Sequence, residues 1–223
     1  MVIPKIIIQT WKLHIIPPEY KQWSKTWKTK NPDFEYRFYT DKACYRFIYN
    51  NYPQYLDLYE FLVGIEKVDM FRYLVLHKYG GVYVDMDTEC FKPIGPLLDL
   101  FPNSIITGYE YENPVQYLQW FIACPEGCST MIELVDEILK RSWYKWIKVL
   151  SLTPNKLVYW FTGPEMYTTV LRKTQESVVI LEKGRLGCYD ISRIDKNSYL
   201  QHYFMGSWKI RKCKPFPMSR EIQ

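Results

Sequence analysis

Two aspartates separated by a single residue are the feature of this sequence that most directly predicts chemistry. Asp85 lies in the strand predicted over residues 82–86, and Asp87 follows that strand directly. Side chains two positions apart on a strand point to the same side of the sheet. Two carboxylates held that close raise each other's pKa unless a cation lies between them. The pair therefore predicts a site for Mg²⁺ or Mn²⁺, which oxygen ligands favour and which can also bind the oxygens of a diphosphate.

The position of this acidic pair at the end of a strand indicates what it would bind. In open α/β sheets, ligands bind beyond the carboxyl ends of the strands. A metal held there would bridge the acidic pair to a nucleotide diphosphate and neutralise the charge that builds up as the diphosphate leaves. A lone Asp-x-Asp pair also occurs at solvated strand ends without a catalytic role. The neighbouring residues are therefore needed to decide between a metal site and a solvated strand end.

Asp69 and Arg72, upstream of the acidic pair, form a second candidate cluster. They lie three residues apart on the helix predicted over residues 56–78, so their side chains share one face. An ion pair on the surface would contribute little to stability. The surrounding residues are apolar, however, which favours a cleft. There a carboxylate and a guanidinium can hold sugar hydroxyls while keeping each other ionised.

Strands and helices alternate along the first hundred residues and place both clusters on regular elements. Strands are predicted over residues 2–8, 34–39, 82–86 and 178–181, and helices over residues 19–30, 56–78 and 131–140. Gly64 divides or bends the second helix, and Gly80 with Gly81 ends it. This order indicates an α/β fold with a mostly parallel central sheet flanked by helices.

The composition is that of a soluble globular domain, with 48% hydrophobic and 24% charged residues. Aromatic residues make up 17%, and their flat rings suit a cleft that stacks on bases and sugars. The net charge of +5 would help to attract an anionic donor, but it is too small to indicate nucleic-acid binding.

The N-terminus lacks the pattern of a signal peptide, and no window reaches the roughly 18 apolar residues that span a bilayer. We therefore expect a chain without a membrane span, either cytoplasmic or a soluble protein of a large virus.

The six cysteines are scattered and do not form the pattern of a disulfide framework. Cys124 and Cys128 are the only close pair, and no histidine lies near them in the sequence. Buried free thiols are therefore favoured over a zinc site at this pair.

Residues 67–93, which contain both clusters, resemble the signature of the DXD-containing sugar transferases of glycosyltransferase family 32. That family includes the yeast initiating α-1,6-mannosyltransferases and is distantly similar to the glucosylating domains of large clostridial toxins. Three further motifs occur in the family's order: residues 3–12, residues 162–164, and His202 with the Ser207 and Trp208 that follow it. The resemblance implies a single domain with a GT-A fold over residues 1–223. Residues 1–110 would be its nucleotide-sugar-binding half and residues 111–223 its acceptor-side half.

Carried over by position, the resemblance implies a metal site and a sugar-binding pair. Asp85 and Asp87 would bind the diphosphate through the metal, and His202 would complete the coordination. An imidazole ligand suits Mn²⁺ better than Mg²⁺. Asp69 and Arg72 would grip the donor sugar. The acidic pair Asp85 and Asp87, together with Asp69 and Arg72, are thereby the catalytic candidates.

The resemblance also implies contacts to the rest of the donor. The predicted donor-binding residues are Gln9, Thr10 and Trp11 around the nucleotide base, Gly81 before the acidic pair, and Ser207 and Trp208 over the diphosphate. In one departure from the family, Ile8 stands where a histidine is common. An apolar residue at that position is tolerable inside a buried strand.

Retention of the anomeric configuration, which the resemblance implies, has two possible routes. One is double displacement through an enzyme carboxylate, and the other is front-face attack. Glu165, after Gly163 and Pro164, is the one downstream carboxylate in a suggestive place, and it equally suits an ordinary acid in the first turn of a helix. We therefore favour front-face attack, in which the leaving diphosphate accepts the proton of the acceptor.

Two other functions fit parts of the sequence. Asp85, Asp87 and Thr88 also match the D-x-D-x-T loop of haloacid-dehalogenase-type phosphatases, in which Asp85 would attack phosphorus and Asp87 would act as general acid. That loop follows the first strand of its domain and needs a downstream acidic pair, for which Asp190 and Asp195 are poorly spaced. A catalytically silent sugar- or nucleotide-binding module would keep the aromatic residues without needing the metal cluster.

The favoured prediction is a metal-dependent, retaining glycosyltransferase with Mn²⁺ or Mg²⁺ as its cofactor. It would move a hexose from a nucleotide-sugar donor, either GDP-mannose or a UDP-hexose, and mannose is favoured by analogy. The acceptor would be a hydroxyl group of a glycan or another glycoconjugate.

Overall fold

Seven strands form the central sheet in the part of the chain that the computed structural model describes, which comprises residues 2–112, 114–187 and 197–206. Along the chain the strands are β1 (Ile6–Trp11), β2 (Glu35–Thr40), β3 (Gly81–Val84), β4 (Thr88–Cys90), β5 (Ile105–Glu112), β6 (Val115–Tyr117), β7 (Phe121–Cys124), β8 (Val178–Leu181) and β9 (Leu200–His202). The strands β4 and β9 pair with each other and form a separate antiparallel ribbon.

The main sheet has the strand order β2-β1-β3-β7-β5, and both β6 and β8 pair with β5. β1 is parallel to β2 and β3, and β8 is parallel to β5, whereas β6 and β7 run antiparallel to their neighbours. Five of the seven strands therefore point in one direction, which confirms the predicted, mostly parallel sheet. The parallel pairing of β1 and β3 brings their carboxyl ends to the same edge of the sheet.

Helices cover both faces of this sheet. They are α1 (Pro18–Lys30), α2 (Asp41–Asn51), α3 (Leu56–Phe61), α4 (Ile65–Tyr79), α5 (Gly95–Leu100), α6 (Ser129–Ser142), α7 (Lys145–Val149), α8 (Pro154–Phe161) and α9 (Pro164–Leu171). Ile8 of β1 belongs to the hydrophobic core under α4 and α6, and its neighbour Ile7 belongs to the core under α1 and α5. Among the described residues, no helix has both the length and the apolar character needed to cross a bilayer.

The boundaries of several elements follow from single residues. Gly64, with a φ of +54°, separates α3 from α4, as the glycine predicts. β1 begins at Ile6 and not at residue 2 as predicted, and the N–H of Ile6 donates to the carbonyl oxygen of Pro4 in the turn before it. Helix α2 is absent from the sequence-based prediction, although Thr40 caps its first turn by accepting the N–H of Ala43 (3.2 Å).

Helix α4 carries the second candidate cluster into the core. Its residues Met70, Phe71 and Leu74 are fully buried, and every residue over 69–76 is buried, so the middle of the helix is enclosed on all sides. A helix of that kind lies inside a domain and not on its surface. Asp69 and Arg72, which belong to the same helix, are consequently only 3% exposed each.

The described cysteines, Cys44, Cys90, Cys124 and Cys128, are all buried free thiols. This confirms the prediction for the close pair Cys124 and Cys128. Cys188 and Cys213 lie outside the described residues.

Gly81, at the start of β3, is fixed by the neighbouring strand. Its φ is +89°, and a Cβ at this position would lie 2.6 Å from the carbonyl oxygen of Ile6. A contact that close requires the backbone to move, and the positive φ adds a further cost for any residue with a side chain. We expect Gly81→Ala to lower the free energy of unfolding by about 3 kcal/mol, measured by urea denaturation.

The matched control for this variant is Gly127→Ala. Gly127 also has a positive φ (+73°), but nothing lies within 4 Å of its Cβ position. Its loss of stability is expected to reflect the backbone conformation alone, about 1–2 kcal/mol. Equal losses in the two variants would contradict the steric explanation for Gly81.

Candidate active site

Asp85 is held at the carboxyl end of β3 through its backbone. Its N–H donates to the carbonyl oxygen of Trp120 (3.0 Å), and its own carbonyl oxygen accepts from Gln9 Nε2 (3.1 Å) and Thr88 Oγ1 (2.6 Å). Gln9 accepts a hydrogen bond from the hydroxyl of Tyr36 (2.7 Å) in turn. Because β1, β4 and the segment before β7 hold the backbone on both sides of the Asp85 Cα, the position of its carboxylate on the cleft wall is fixed.

Asp87 is fixed by the ribbon that β4 forms with β9. The pairing places Thr88 opposite His202 and brings His202 Nε2 to 3.0 Å from Asp87 Oδ1. The backbone N–H of Met205 donates to Asp87 Oδ2 (2.9 Å), and that of Tyr203 donates to the carbonyl oxygen of Asp87 (2.8 Å). A segment more than a hundred residues downstream thus positions the second aspartate of the pair.

The three side chains Asp85, Asp87 and His202 form a group that fits a divalent ion. One ligand atom from each lies within 4.8 Å of the others. Adjacent ligands of an octahedral ion with bonds of about 2.1 Å are about 3 Å apart, which matches the 3.0 Å between Asp87 Oδ1 and His202 Nε2. Two carboxylate oxygens and one imidazole nitrogen are a donor set that suits Mn²⁺.

Aromatic contacts orient the His202 ring. It stacks on Trp120 (centroids 4.7 Å apart, planes at 12°) and meets Phe204 edge-on (4.1 Å, 72°). Within the described residues, its Nδ1 is buried without a hydrogen-bond partner. The stacked rings, and not a hydrogen bond at the second nitrogen, therefore keep Nε2 pointed toward Asp87.

The two aspartates of the pair differ in their pKa. Burial raises the pKa of Asp85, although the positive charge of Arg72 acts in the opposite direction. Burial also acts to raise the pKa of Asp87, but the hydrogen bonds from His202 and the Met205 backbone outweigh it and leave the pKa of Asp87 below its ordinary value. Asp87 is therefore the carboxylate that stays ionised most readily.

Arg72 connects the acidic pair to the second cluster. Its Nη2 lies 3.0 Å from Asp69 Oδ1 and 3.5 Å from Asp85 Oδ1, and its Nη1 donates to the carbonyl oxygen of Gln119 (2.7 Å). The other carboxylate oxygen of Asp69 accepts a hydrogen bond from Thr162 Oγ1 (2.6 Å). One buried guanidinium thus forms ion pairs with two carboxylates, one on α4 and one directly after β3.

Burial dominates the ionisation of this second cluster. It raises the pKa of Asp69 to about 7, although Arg72 and Thr162 favour the ionised form. Burial acts to lower the pKa of Arg72, but Tyr83, Asp85 and Asp69 outweigh it and raise the pKa of Arg72 above its ordinary value. With its carboxylates ionised, the group of three aspartates and one arginine carries a net charge of −2, which a divalent cation would balance.

The cleft in which these groups meet has a volume of about 290 Å³. The predicted site residues that line it are Thr10, Trp11, Asp69, Arg72, Asp85, Asp87 and His202. Gln9 is fully buried behind Asp85, and Gly81 lies at the opposite end of β3, so neither lines the cleft. Ser207 and Trp208, as well as Asp190 and Asp195, lie outside the described residues.

Gln119 and Trp120 are site residues that the sequence analysis did not identify. They precede β7, line the cleft, and supply the carbonyl oxygens that hold Arg72 and Asp85. Gln119 also donates to the carbonyl oxygen of Thr162 (3.0 Å). Their contribution is made largely through the backbone, which leaves no residue-type pattern in the sequence. The aromatic Trp120 directly before an apolar strand was the one available hint.

Comparison with known proteins places the acidic pair within a described family. Residues 17–112 match the family described as a glycosyltransferase sugar-binding region containing a DXD motif. An uncharacterized glycosyltransferase of Acanthamoeba polyphaga mimivirus is 34% identical over 228 residues, covering 96% of this chain and 88% of the viral protein.

Two fungal proteins show more limited matches. Inositol phosphoceramide mannosyltransferase 3 of Schizosaccharomyces pombe is 42% identical over 97 residues, which cover 43% of this chain and 27% of that protein. The initiation-specific alpha-1,6-mannosyltransferase of Candida albicans is 29% identical over 210 residues, covering 79% of this chain and 54% of that protein. The chain therefore spans about a quarter to a half of the length of these fungal relatives.

Two solved structures share the fold. The PaToxG glycosyltransferase superposes with a TM-score of 0.57 at 18% identity, over 77% of this chain and 70% of that chain. The UDP-bound glycosyltransferase domain of the YGT toxin superposes with a TM-score of 0.55 at 10% identity, over 81% of this chain and 80% of that chain. At these identities the likeness concerns the fold, and it confirms the predicted GT-A architecture.

Proposed function

Because this chain belongs to the DXD-containing glycosyltransferases of family 32, we propose that it is a metal-dependent, retaining hexosyltransferase. It would move mannose from a nucleotide-diphosphate donor to a hydroxyl acceptor. The observation that carries the proposal is the convergence of Asp85, Asp87 and His202 in one cleft with the Arg72–Asp69 pair. Mannose is proposed because these fungal relatives are mannosyltransferases, and GDP-mannose is the donor that we propose for it.

The metal group has a defined role in this proposal. When bound by Asp85, Asp87 and His202, Mn²⁺ or Mg²⁺ would act as a Lewis acid toward the diphosphate of the donor. The backbone N–H of Met205, which donates to Asp87 Oδ2 (2.9 Å), would keep this carboxylate oriented when the metal takes His202 as a ligand. The stacked position of His202 between Trp120 and Phe204 keeps its imidazole within reach of the same ion.

Arg72 and Asp69 would recognise the donor sugar. Both line the cleft, both are almost fully buried, and each holds the other in place. A buried, preorganised charge pair interacts with hydroxyl groups more strongly than a solvated pair does, since water competes less. Thr162, which fixes Asp69 through its hydroxyl, immediately precedes the cleft residues Gly163 and Pro164. We therefore assign the sugar subsite to the space between α4 and the start of α9.

Front-face attack remains the proposed route to retention. Both oxygens of Asp69 are already engaged, by Arg72 and by Thr162, so this carboxylate is poorly placed to attack an anomeric carbon. Glu165 is exposed in the first turn of α9 and does not line the cleft. Glu110 lines the cleft but accepts a hydrogen bond from Gln116 Nε2 (3.2 Å). Isolation of a glycosyl adduct on any of these carboxylates would contradict the proposal.

A thermal-shift panel tests the donor and the metal together. GDP-mannose, UDP-glucose, UDP-galactose and UDP-N-acetylglucosamine are each added with Mn²⁺ and with EDTA. A ligand that binds only the folded chain raises the melting temperature, by an amount set by its concentration relative to Kd. We expect an increase with GDP-mannose and Mn²⁺ and no increase with GDP-mannose and EDTA.

The alternatives give different results in the same panel. A shift that persists in EDTA would contradict the metal-dependent transferase and fit the silent binding module. Absence of any shift from a folded chain, together with phosphate release from p-nitrophenyl phosphate, would favour the phosphatase. A shift with a UDP-sugar alone would retain the transferase and overturn the choice of mannose.

A further inference from the structure

Apolar side chains on and around α7 are exposed to solvent as a continuous group. Trp143 is 74% exposed, Trp146 68% and Leu150 83%. The exposed residues of this surface, which we call the α7 face, are Trp143, Tyr144, Trp146, Ile147, Val149 and Leu150. Large apolar side chains that are exposed together mark an interaction surface, whereas single exposed ones do not.

Lys145, which lies among these exposed side chains, is turned toward the interior. Its Nζ lies 2.6 Å from Glu66 Oε2 and 4.4 Å from the centroid of the Phe161 ring. A surface helix ordinarily presents its lysines to water and packs its apolar residues inside. In α7 the arrangement is reversed, because Lys145 points to the interior and the apolar residues around it point to water. The buried ion pair with Glu66 therefore anchors the segment while its apolar residues face outward.

The segment around α7 is also rich in positive charge. Residues 138–164 contain no aspartate or glutamate and five basic residues: Lys140, Arg141, Lys145, Lys148 and Lys156. Glu66 pairs with Lys145, and Glu137 pairs with both Lys140 and Arg141. Lys148 adds positive charge to α7 itself.

The α7 face lies beside the mouth of the cleft. Glu66, the partner of Lys145, directly follows Gly64 and Ile65, which line the cleft. Helix α8, which packs against α7, contributes Val158 to the cleft wall. A surface that binds the α7 face would therefore lie close to the entrance through which an acceptor reaches the candidate active site.

We propose that the α7 face docks on the surface of an anionic lipid bilayer. Tryptophan and tyrosine side chains sit at the level of the lipid headgroups, where their rings are partly apolar and partly polar. Lysines near the surface add electrostatic attraction to anionic headgroups. A second copy of the chain is a poorer occupant, because a two-fold interface would bring Lys148 of α7 toward the same lysine of the other copy. The proposal rests on α7 alone and does not depend on the transfer reaction.

Sedimentation with vesicles tests the docking. The full chain is mixed with one of two kinds of vesicle. The anionic vesicles contain phosphatidylcholine and phosphatidylserine in a ratio of about 4:1, and the neutral vesicles contain phosphatidylcholine alone. We expect binding to the anionic vesicles that weakens with added salt. The double variant Trp143→Ser/Trp146→Ser is expected to bind about tenfold or more weakly, because it removes both indole rings from the interface.

Matched variants separate this surface from general effects. Leu100→Ser alters a side chain as exposed as Trp146 (68%) on α5, which packs on the other face of the sheet, and it should bind like the unmodified chain. Lys148→Glu should weaken binding to anionic vesicles, whereas Lys25→Glu, the same charge change on α1, should have a smaller effect.

Three results would overturn the proposal: absence of binding to anionic vesicles, binding that the double variant retains in full, and self-association that the double variant abolishes in the absence of lipid. The last result would assign the α7 face to contacts between copies of the chain, and sedimentation velocity detects it.

The thermal shift with donor and Mn²⁺ is measured on the same double variant. If the double variant keeps its thermal shift but loses vesicle binding, the membrane surface and the donor site are separate, and each proposal can fail without the other.

Discussion

Asp87→Asn is expected to reduce sugar transfer about a thousandfold while the chain stays folded. The amide keeps the shape of the carboxylate and can still accept the backbone N–H of Met205, so the β4–β9 ribbon has little reason to open. It removes the negative charge that faces His202 and the proposed metal, where charge matters most for the leaving diphosphate. Release of nucleoside diphosphate, measured across an Mn²⁺ titration, gives the loss of activity. Circular dichroism and thermal unfolding monitor the fold.

Asp85→Asn and Glu165→Gln complete this experiment. Asp85→Asn should lose activity to a similar extent, because Asp85 is the other carboxylate of the pair. Glu165→Gln is the matched control, since it makes the same chemical change in an exposed carboxylate that does not line the cleft. Activity near that of the unmodified chain in Asp87→Asn would remove the basis of the metal site. Loss of activity in Glu165→Gln would reopen double displacement.

Arg72→Met is expected to abolish transfer and also to lower the free energy of unfolding by about 3–5 kcal/mol. Arg72 lies 3.0 Å from Asp69 and 3.5 Å from Asp85, and its removal leaves the buried Asp69 without a compensating charge. The loss of stability should be smaller at pH 5 than at pH 8. Burial already raises the pKa of Asp69 to about 7, so at pH 5 this group is protonated in the folded chain and no isolated charge is buried.

The double variant Arg72→Met/Asp69→Asn distinguishes charge balance from lost packing. It removes the uncompensated carboxylate together with the arginine, so most of the lost stability should return while activity stays absent. Urea denaturation of both single variants and the double variant yields the coupling free energy directly. Additive effects on stability would show that Asp69 and Arg72 do not depend on each other as the 3.0 Å contact implies.

Local sequence patterns predicted several elements in the first half of the chain, although helix α2 was missed. The apolar run around Ile7 and Ile8 predicts a buried parallel strand, and Gly64 predicts the break between α3 and α4, because each depends on neighbouring residues alone. Asp85 and Asp87 could be recognised as a pair for the same reason. The cleft-facing position of Asp69 and Arg72 also followed from their apolar surroundings on one helix.

The remaining parts of the site depend on contacts between distant segments. Gln119 and Trp120 hold Arg72 and Asp85 through their carbonyl oxygens, which every residue type possesses, and the stacking of Trp120 on His202 joins segments far apart in the sequence. Gln9 was expected to face the nucleotide, whereas β1 turns it inward to hold the Asp85 peptide. His202 was found through the family resemblance, since a histidine 115 residues from Asp87 has no local relation to it.

The pairing of β4 with β9 joins residues that are synthesised far apart in time, because His202 lies beside Asp87. Asp85, Asp87 and Arg72 leave the ribosome early, and His202 follows Asp87 by 115 residues. At about 5–20 residues per second, the acidic pair waits roughly 6–23 s for its histidine. During that interval Arg72, already supplied by α4, is the charge available to balance the two aspartates. In a nascent chain, His202 therefore reaches the proposed metal site only after Asp85, Asp87 and Arg72 have emerged.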